Sequence, residues 1–184
     1  MTTATTTDLV RIGAKLYAVN PEVIDLDDVI PLFHGWIQQR VLDGVPIDVA
    51  DYAHVPDGPG VMLIGHEADR SLDLAGGRPG VLYQRKRDGS GDLPERFAAS
   101  IAAADRLAAD VEADPLGHGV RFDRDEILIV VPDRLRVDND DAALEELREP
   151  LTAALATTRP GRTAELTRVT DDPGGPLRIR VRLT

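Results

Sequence analysis

The 184-residue chain contains no cysteine. This absence excludes disulfide bonds, thiolate metal sites and cysteine nucleophiles. No apolar run approaches the roughly 18 residues that a membrane-spanning helix requires. Residues 1–7 contain neither a basic segment nor an apolar one, so we do not expect a signal peptide. The sequence therefore predicts a cytoplasmic protein without a membrane partner, with a loose tail at residues 1–7.

Aromatic residues are also scarce, at 4% of the chain. The core must therefore be built from leucine, isoleucine, valine and alanine. Apolar residues at 42% and charged residues at 29% are ordinary values for a globular protein. A chain of this length buries about 70% of its unfolded surface and needs no covalent cross-link. We expect a single domain over residues 8–184.

Basic residues are fewer than acidic ones, 21 against 32, and the formal net charge is -11. A nucleic acid partner is disfavoured, because its binding depends on neutralising phosphates with lysine and arginine. The charge is also uneven: residues 20–57 hold eight acids against Arg40, whereas residues 78–87 hold four bases and no acid. Such clusters are commonly solvated surface. A cleft with an acidic wall and a basic lip would instead suit a small anionic ligand or a charged protein partner.

Apolar residues that recur three and four positions apart predict three amphipathic helices. The second helix has the clearest start, because Asp92 and Glu95 have the spacing of a capping box. The predicted helices run from Asp27 or Asp28 to about Leu42, from Asp92 to about Ala113, and from Asp140 or Asp141 through Leu155.

Short apolar or alternating segments predict the strands. Ile127–Val131 is the most apolar of them, so we expect neighbours on both of its sides. In the last strand, arginines alternate with aliphatic residues, which we interpret as charges on an exposed face or edge. The predicted strands are Leu9–Val19, Val61–Gly65, Val81–Arg85, Ile127–Val131, Thr163–Thr170 and Leu177–Leu183, with shorter candidates at Val45–Val55 and Ser71–Leu74.

The order of these elements predicts an α+β fold. The first six elements match the split β-α-β arrangement of ferredoxin-like proteins. Because Ile127–Val131 is too apolar for a bare sheet edge, we expect the C-terminal hairpin to extend the sheet beside it. The prediction is a single domain with a ferredoxin-like core, extended by a C-terminal helix and β-hairpin, and with helices mainly on one face.

Two of the four histidines flank a turn rich in proline and glycine. His54 precedes the turn, and His66 follows the strand after it, with Glu67 directly adjacent. If the turn doubles the chain back, His54, His66 and Glu67 would form a donor set for a divalent metal. The same residues and Asp51 are alternatively candidate acid/base catalysts, because a carboxylate helps a histidine to keep its proton. The remaining interpretation is that His66 and Glu67 simply end a strand and bond nearby backbone.

Three further residues are candidates for substrate binding. Tyr52 and Tyr83 could orient a ligand through their hydroxyl groups, and Arg85 belongs to the basic segment. Each tyrosine is otherwise an ordinary core or rim aromatic. Motifs for nucleotide, dinucleotide and calcium binding are lacking, and so is the nucleophile elbow of hydrolases. No cofactor is therefore predicted apart from the divalent metal.

One part of the sequence resembles a family of uncharacterised bacterial proteins. The resemblance is carried by residues 33–38 (Phe-His-Gly-Trp-Ile-Gln), by Asp48 through Gly60, by His66-Glu67 and by residues 80–83 (Gly-Val-Leu-Tyr). It covers roughly residues 14–87. No activity is assigned to that family, so the resemblance implies no catalytic residues.

Two function classes follow from the sequence. The first is an accessory or regulatory protein that acts through contacts with a protein partner or with itself. The second is a small-molecule-binding protein or small enzyme with a His/Glu/Asp pocket. The second hypothesis requires His54, His66 and Glu67 to share one cavity, whereas the first expects them to point apart.

Overall fold

The computed structural model describes residues 9–40, 42–87 and 89–184. The predicted loose tail at residues 1–7 lies outside these residues. The described chain contains three α-helices: α1 (Leu26–Gln39), α2 (Leu93–Ala113) and α3 (Asp141–Thr158). Its eight strands are β1 (Gly13–Ala18), β2 (Pro46–Tyr52), β3 (Gly60–Gly65), β4 (Ala68–Asp73), β5 (Gly80–Arg85), β6 (Phe122–Val131), β7 (Ala164–Arg168) and β8 (Leu177–Leu183).

Side-chain caps start all three helices. The capping box of α2 is confirmed, because Asp92 Oδ1 accepts from the Glu95 amide and Glu95 Oε2 accepts from the Asp92 amide, both at 2.9 Å. Asp140 caps α3. In α1 the prediction of Asp27 or Asp28 is wrong: Asp25 accepts the cap hydrogen bond, and the two later acids occupy the first turn. Acids are favourable there because they face the positive end of the helix dipole.

The strands form one antiparallel sheet in the order β2-β3-β4-β5-β1-β6-β8-β7. The most apolar strand is internal, as predicted, since β6 lies between β1 and β8. The C-terminal hairpin of β7 and β8 extends the sheet beside β6. Of the two interpretations of the β8 arginines, the sheet edge is wrong, because the edge strands are β2 and β7. The arginines lie on one face of the sheet, since they alternate with the buried aliphatic residues of β8. The short candidate predicted at Val45–Val55 forms β2. The candidate predicted at Ser71–Leu74 is part of β4, which begins earlier, at Ala68.

The hydrophobic core fills the face of the sheet that the helices cover. α1 lies over β2 and β3, α2 over β1 and β5, and α3 over β7 and against α2. Alternate strand residues point into this core, as the pleat requires. One aliphatic row crosses seven strands through Val61, Leu72, Val81, Leu16, Ile127, Val181 and Leu166.

The opposite face of the sheet is covered by none of the described helices, and we call it the open face. Two loops border it, one at residues 75–78 between β4 and β5 and one at residues 169–176 between β7 and β8. Its central row differs from the core row by including a lysine and an arginine. This row consists of Ala50, Met62, Ser71, Leu82, Lys15, Leu128, Arg180 and Thr167.

No helix in the described ranges is long and apolar enough to cross a membrane.

Candidate functional site

The predicted metal set is not assembled. His54 lies in the β2–β3 hairpin loop, beside the end where Tyr52 pairs with Gly60, whereas His66 follows the far end of β3. The five residue steps along β3 separate these ends by about 17 Å. The turn does reverse the chain, but the hairpin register carries the two histidines apart. A single ion bound by His54, His66 and Glu67 is therefore ruled out, because zinc–nitrogen bonds are only about 2 Å long.

The structure does bring His66 and Glu67 together, at a solvent-exposed strand end. Arg87 NH1 donates to His66 Nε2 at 2.7 Å, so the opposite nitrogen, Nδ1, carries the proton that bonds Glu67 Oε1 at 3.2 Å. The backbone amide of Val45 and then His66 lower the pKa of Glu67. About half of each side chain is exposed. Across residues 9–40, 42–87 and 89–184, no group of three or more His, Asp or Glu is arranged to hold a metal.

The other predicted residues lie in two more places. Asp51 accepts a backbone hydrogen bond within the hairpin loop, and Tyr52 is 40% exposed next to it. Tyr83 and Arg85 instead line a cleft of about 350 Å³ on the helix-covered face, between α2 and the β4–β5 pair. Arg70 lies over the Tyr83 ring there, 5.6 Å from its centroid. The predicted site is thus divided among three parts of the molecule.

The structure instead assembles a polar pocket of about 340 Å³ on the open face. Its size falls in the range typical of small-ligand sites. Leu82, Leu128 and Val130 provide an apolar part of its floor. The charged side chains that line it are the cations Lys15, Arg78, Arg178 and Arg180 and the carboxylates Asp57, Asp73, Asp171 and Asp172.

Lys15 and Asp73 form a buried ion pair at this pocket. Lys15 Nζ lies 2.5 Å from Asp73 Oδ2 and 3.2 Å from the carbonyl oxygen of Ala75, and only 2% of Lys15 is exposed. The lysine reaches across β5 to Asp73 on β4. Gly80 on β5 lies opposite Asp73 in the sheet. A Cβ at Gly80 would lie 2.3 Å from the carbonyl oxygen of Leu16, so only glycine fits there.

Stability alone does not account for this buried ion pair. Burial lowers the pKa of Lys15, while the attraction of Asp73 and the hydrogen bond that Lys15 donates to it act in the opposite direction. Taking two charges out of water often costs more than their attraction returns, and hydrophobic pairs of similar volume commonly serve as well. A titratable group perturbed in this way within a pocket is typical of functional sites.

A second network links Arg78, Tyr17 and Glu126 at the same pocket. The Arg78 guanidinium lies over the Tyr17 ring, 3.6 Å from its centroid, and NH1 donates to Glu126 Oε1 at 2.6 Å. This hydrogen bond lowers the pKa of Glu126, whereas burial raises the pKa of Tyr17. Near neutral pH, Glu126 is therefore a carboxylate and Tyr17 keeps its phenolic proton.

Arg178 and Arg180 project from β8 onto the same face. Arg178 is paired with Asp171 on the β7–β8 loop, and Arg180 Nε lies 3.3 Å from Glu126 Oε1 without the alignment of a hydrogen bond. Within the described residues, the buried Nε atoms of both arginines have no hydrogen-bond partner. An unpaired buried donor costs about 1–3 kcal/mol. An acceptor atom supplied by a ligand or an ordered water would remove that cost.

Sequence reasoning missed this pocket, although one signal was present. Lys15 is the single charged residue in the segment from Ile12 to Ala18, which otherwise reads as a buried strand. A lone charge at such a position is rarely buried unless it is paired. Its partner, Asp73, is 58 positions away, and nothing local identifies it.

Comparisons of the chain with models of known protein families, with curated proteins and with solved structures found no match. Function is therefore inferred from the geometry of this chain alone.

Proposed function

We propose that the protein binds a small organic anion in the open-face pocket. The ligand would carry a carboxylate or a phosphate group. The observation that carries this proposal is the convergence of Lys15, Arg178 and Arg180 on one pocket, where the buried Nε donors of the two arginines have no hydrogen-bond acceptor among the described residues. Guanidinium groups match the planar oxygen pairs of carboxylates and phosphates.

The carboxylates of the pocket are held in different ways. Asp73 on β4 is buried and pairs with Lys15, whereas Asp171 and Asp172 stand on the loop between β7 and β8, from which a ligand would displace them. Arg178 already pairs with the Asp171 carboxylate, so its guanidinium can hold a carboxylate group. A ligand carboxylate would replace Asp171 and would also accept from the buried Nε donors.

Calorimetric titration with inorganic phosphate, succinate and pyruvate tests the proposal. At least one probe should bind, and Arg180→Met should weaken its binding about tenfold or more, since a hydrogen bond to a charged group contributes about 1.5–3 kcal/mol. Arg148→Met is the matched control, because Arg148 pairs with Glu145 on the exposed side of α3. Binding of phosphate but not of the carboxylates would assign the phosphate class, and the reverse result the carboxylate class.

Two outcomes would contradict the anion proposal. One is that none of the three probes binds to the folded protein. The other is that Arg180→Met and Arg148→Met weaken binding equally, which would place the anion on general surface charge instead of in the pocket.

A second candidate function, binding of a protein segment, is supported by the edge strand β2. Val45 and Ile47 on this edge are each 61% exposed. An edge strand can accept an added strand through its backbone groups. A second copy of the chain would place Asp48 and Asp51 against like charges. An extended basic segment with alternating apolar residues is therefore the partner that this edge fits.

A synthetic peptide of alternating valine and lysine tests this second candidate. The peptide should bind the wild-type protein, and Ile47→Lys should abolish binding by removing the apolar contact and adding a like charge. Leu135→Lys is the control, because Leu135 is 96% exposed elsewhere on the surface. Equal binding to both variants would contradict the proposal, and so would self-association of the protein through β2 in sedimentation.

We also propose that the fold is a ferredoxin-like core within a single cytoplasmic domain. The chain order β1, α1, β4, β5, α2, β6 supports it, because it follows the β-α-β-β-α-β pattern. The neighbouring order β6-β1-β5-β4 in the sheet supports it as well. In this interpretation the β2–β3 hairpin is an insertion before β4. The lack of cysteine agrees with a reducing compartment.

A further inference from the structure

Lysine is rare in this protein, and one of its lysines is buried. The chain has 21 lysines and arginines, of which only Lys15 and Lys86 are lysines. Nineteen of its cations are therefore arginines, which stay protonated at any pH a protein meets. Lysine differs from arginine because it can lose its proton and act as a nucleophile, most readily when it is desolvated. The buried lysine of this arginine-rich chain can therefore serve as a nucleophile, and not only as a positive charge.

We infer that Lys15 forms an imine with the carbonyl carbon of a small 2-oxo acid held in the open-face pocket. This inference rests on the proposed binding of an organic anion and specifies its class. A 2-oxo acid carries the electrophilic carbonyl beside the carboxylate that the arginines would bind. It therefore uses both chemical features of the pocket at once.

The sheet register places Lys15 and Arg180 in one row of the open face. Lys15 on β1 and Arg180 on β8 are each paired with Leu128 on β6. Two strand spacings separate their backbones by about 10 Å, and both side chains line the same pocket. Within the pocket, Lys15 Nζ and the Arg78 guanidinium lie 5.3 and 3.6 Å from the centroid of the Tyr17 ring, so a guanidinium stands near the amine.

The contacts of Lys15 leave capacity for a ligand. An ammonium group has three N–H donors, and two are directed at Asp73 Oδ2 and the Ala75 carbonyl oxygen. Asp73 bonds through one of its two oxygens in this contact. Asp73 lies within hydrogen-bond distance of Nζ and can exchange a proton with it, and burial lowers the pKa of Lys15.

The chemical step balances with the groups present. Lys15 gives one proton to Asp73, and the freed Nζ lone pair forms a bond to the carbonyl carbon. The carbonyl π pair moves to oxygen, which takes the proton from Asp73. A second proton leaves Nζ by the same carboxylate, the oxygen departs as water, and a protonated imine remains. Two of the three ammonium protons thus end on water, and the step requires no oxidant or reductant.

Reductive trapping tests the inference. Wild-type protein is incubated with pyruvate or glyoxylate and sodium cyanoborohydride, and the labelled residue is located by peptide mass spectrometry. We expect the label on Lys15 in the wild type and in Lys86→Arg, and its loss from that site in Lys15→Arg. Lys86 is the internal control, because it is paired with Asp69 away from the pocket. Circular dichroism and the thermal midpoint establish that each variant is folded.

A second variant separates recognition of the acid from reactivity of the amine. Arg180→Met should lower the yield of the Lys15 adduct with pyruvate by about tenfold, in line with the loss of one charged hydrogen bond. The yield with acetone, which has the carbonyl but not the carboxylate, should fall by much less. Equal loss with both reagents would contradict the assignment of the carboxylate to Arg180.

The outcomes distinguish this inference from the function on which it rests. If pyruvate binds by calorimetry but no adduct forms at Lys15, the imine is overturned while anion binding stands. If the label appears only on Lys86 and the N-terminal amine, Lys15 is not the nucleophile. If phosphate binds but no carboxylate binds and no adduct forms, the imine is likewise overturned while anion binding stands. If none of the three probes binds and no adduct forms, both proposals fail.

Discussion

The two faces of the sheet are built on different physical principles. On the helix-covered face, adjacent strands match aliphatic side chains row by row, and Phe97 and Leu147 from the helices are fully buried against them. On the open face, the same strands bury Lys15 and Asp73 almost as completely as these apolar side chains, with 2% and 5% of each residue exposed. One face thus gains stability from the hydrophobic effect, whereas the other buries charge.

This difference separates folding from function within a single sheet. Hydrophobic contacts do not require a specific partner, and the free energy that they contribute is roughly proportional to the apolar area buried. They therefore suit the stabilisation of the fold. Buried charges are costly unless paired and are sensitive to geometry, so they suit a site. Substitutions on the two faces should therefore differ in their effect on the free energy of unfolding.

The largest expected loss follows from truncating the core. Phe97→Ala should lower the free energy of unfolding by about 3–5 kcal/mol, because it removes buried contacts and leaves a cavity. Chemical denaturation at neutral pH measures the change. Leu135→Ala, at a side chain that is 96% exposed, should change it by less than about 0.5 kcal/mol. A comparable loss in both variants would contradict the assigned core.

The buried pair should respond differently to single and double substitution. Asp73→Ala leaves Lys15 without its partner and should lower the free energy of unfolding by about 3 kcal/mol. The combination Lys15→Met with Asp73→Leu should recover most of this loss, because neither charge is then buried. Denaturation curves of the three proteins provide the comparison. A double variant as unstable as Asp73→Ala would show that the pair itself stabilises the open face.

Acid should reveal the Glu126 network. The hydrogen bond from Arg78 holds the pKa of Glu126 below its ordinary value of 4.5. Its contribution to stability is therefore present above that value and is lost as the pH falls through the lower folded-state pKa. Glu126→Gln should cost about 1.5–3 kcal/mol at neutral pH. This cost should shrink as the pH falls below 4.5, and a cost that is constant with pH would contradict the network.

The smallest expected effect is at the exposed end of the same network. Arg182 is 59% exposed in its side chain, and its Nε is 4.0 Å from Glu126. Arg182→Ala should change the free energy of unfolding by about 0–1 kcal/mol, as exposed ion pairs commonly do. Thermal unfolding at low and high salt measures it. A loss as large as that of Glu126→Gln would mean that Arg182, not Arg78, holds the carboxylate.

Local features of the fold were predictable because their causes lie within a few residues. The capping box of α2 is a contact between residues three positions apart, and the apolar run at Ile127–Val131 indicates a central strand by its composition. The start of α1 was misplaced by two or three residues, since Asp25, Asp27 and Asp28 are all acceptable caps. Choosing among them depends on where the preceding chain enters the helix, which the local sequence does not contain.

The predicted site failed for a related reason. His54 and His66 were grouped because they flank one turn, but the pairing register of β2 with β3 places them at opposite ends of the hairpin. His66 and Glu67, adjacent in sequence, do meet. The contact that defines the open-face pocket, between Lys15 and Asp73, joins strands that are separated by β5 in the sheet and by α1, β2 and β3 along the chain.

By itself, the sequence determined the α+β class, the helices, most of the strands and the placement of the C-terminal hairpin beside β6. These follow from periodicity, capping and apolar content, which act over short distances along the chain. Only the tertiary structure decided which face of the sheet stays open and which charges meet there. The reason is that strand order and register are set by the packing of the whole core, and a pocket is assembled from residues that this packing brings together.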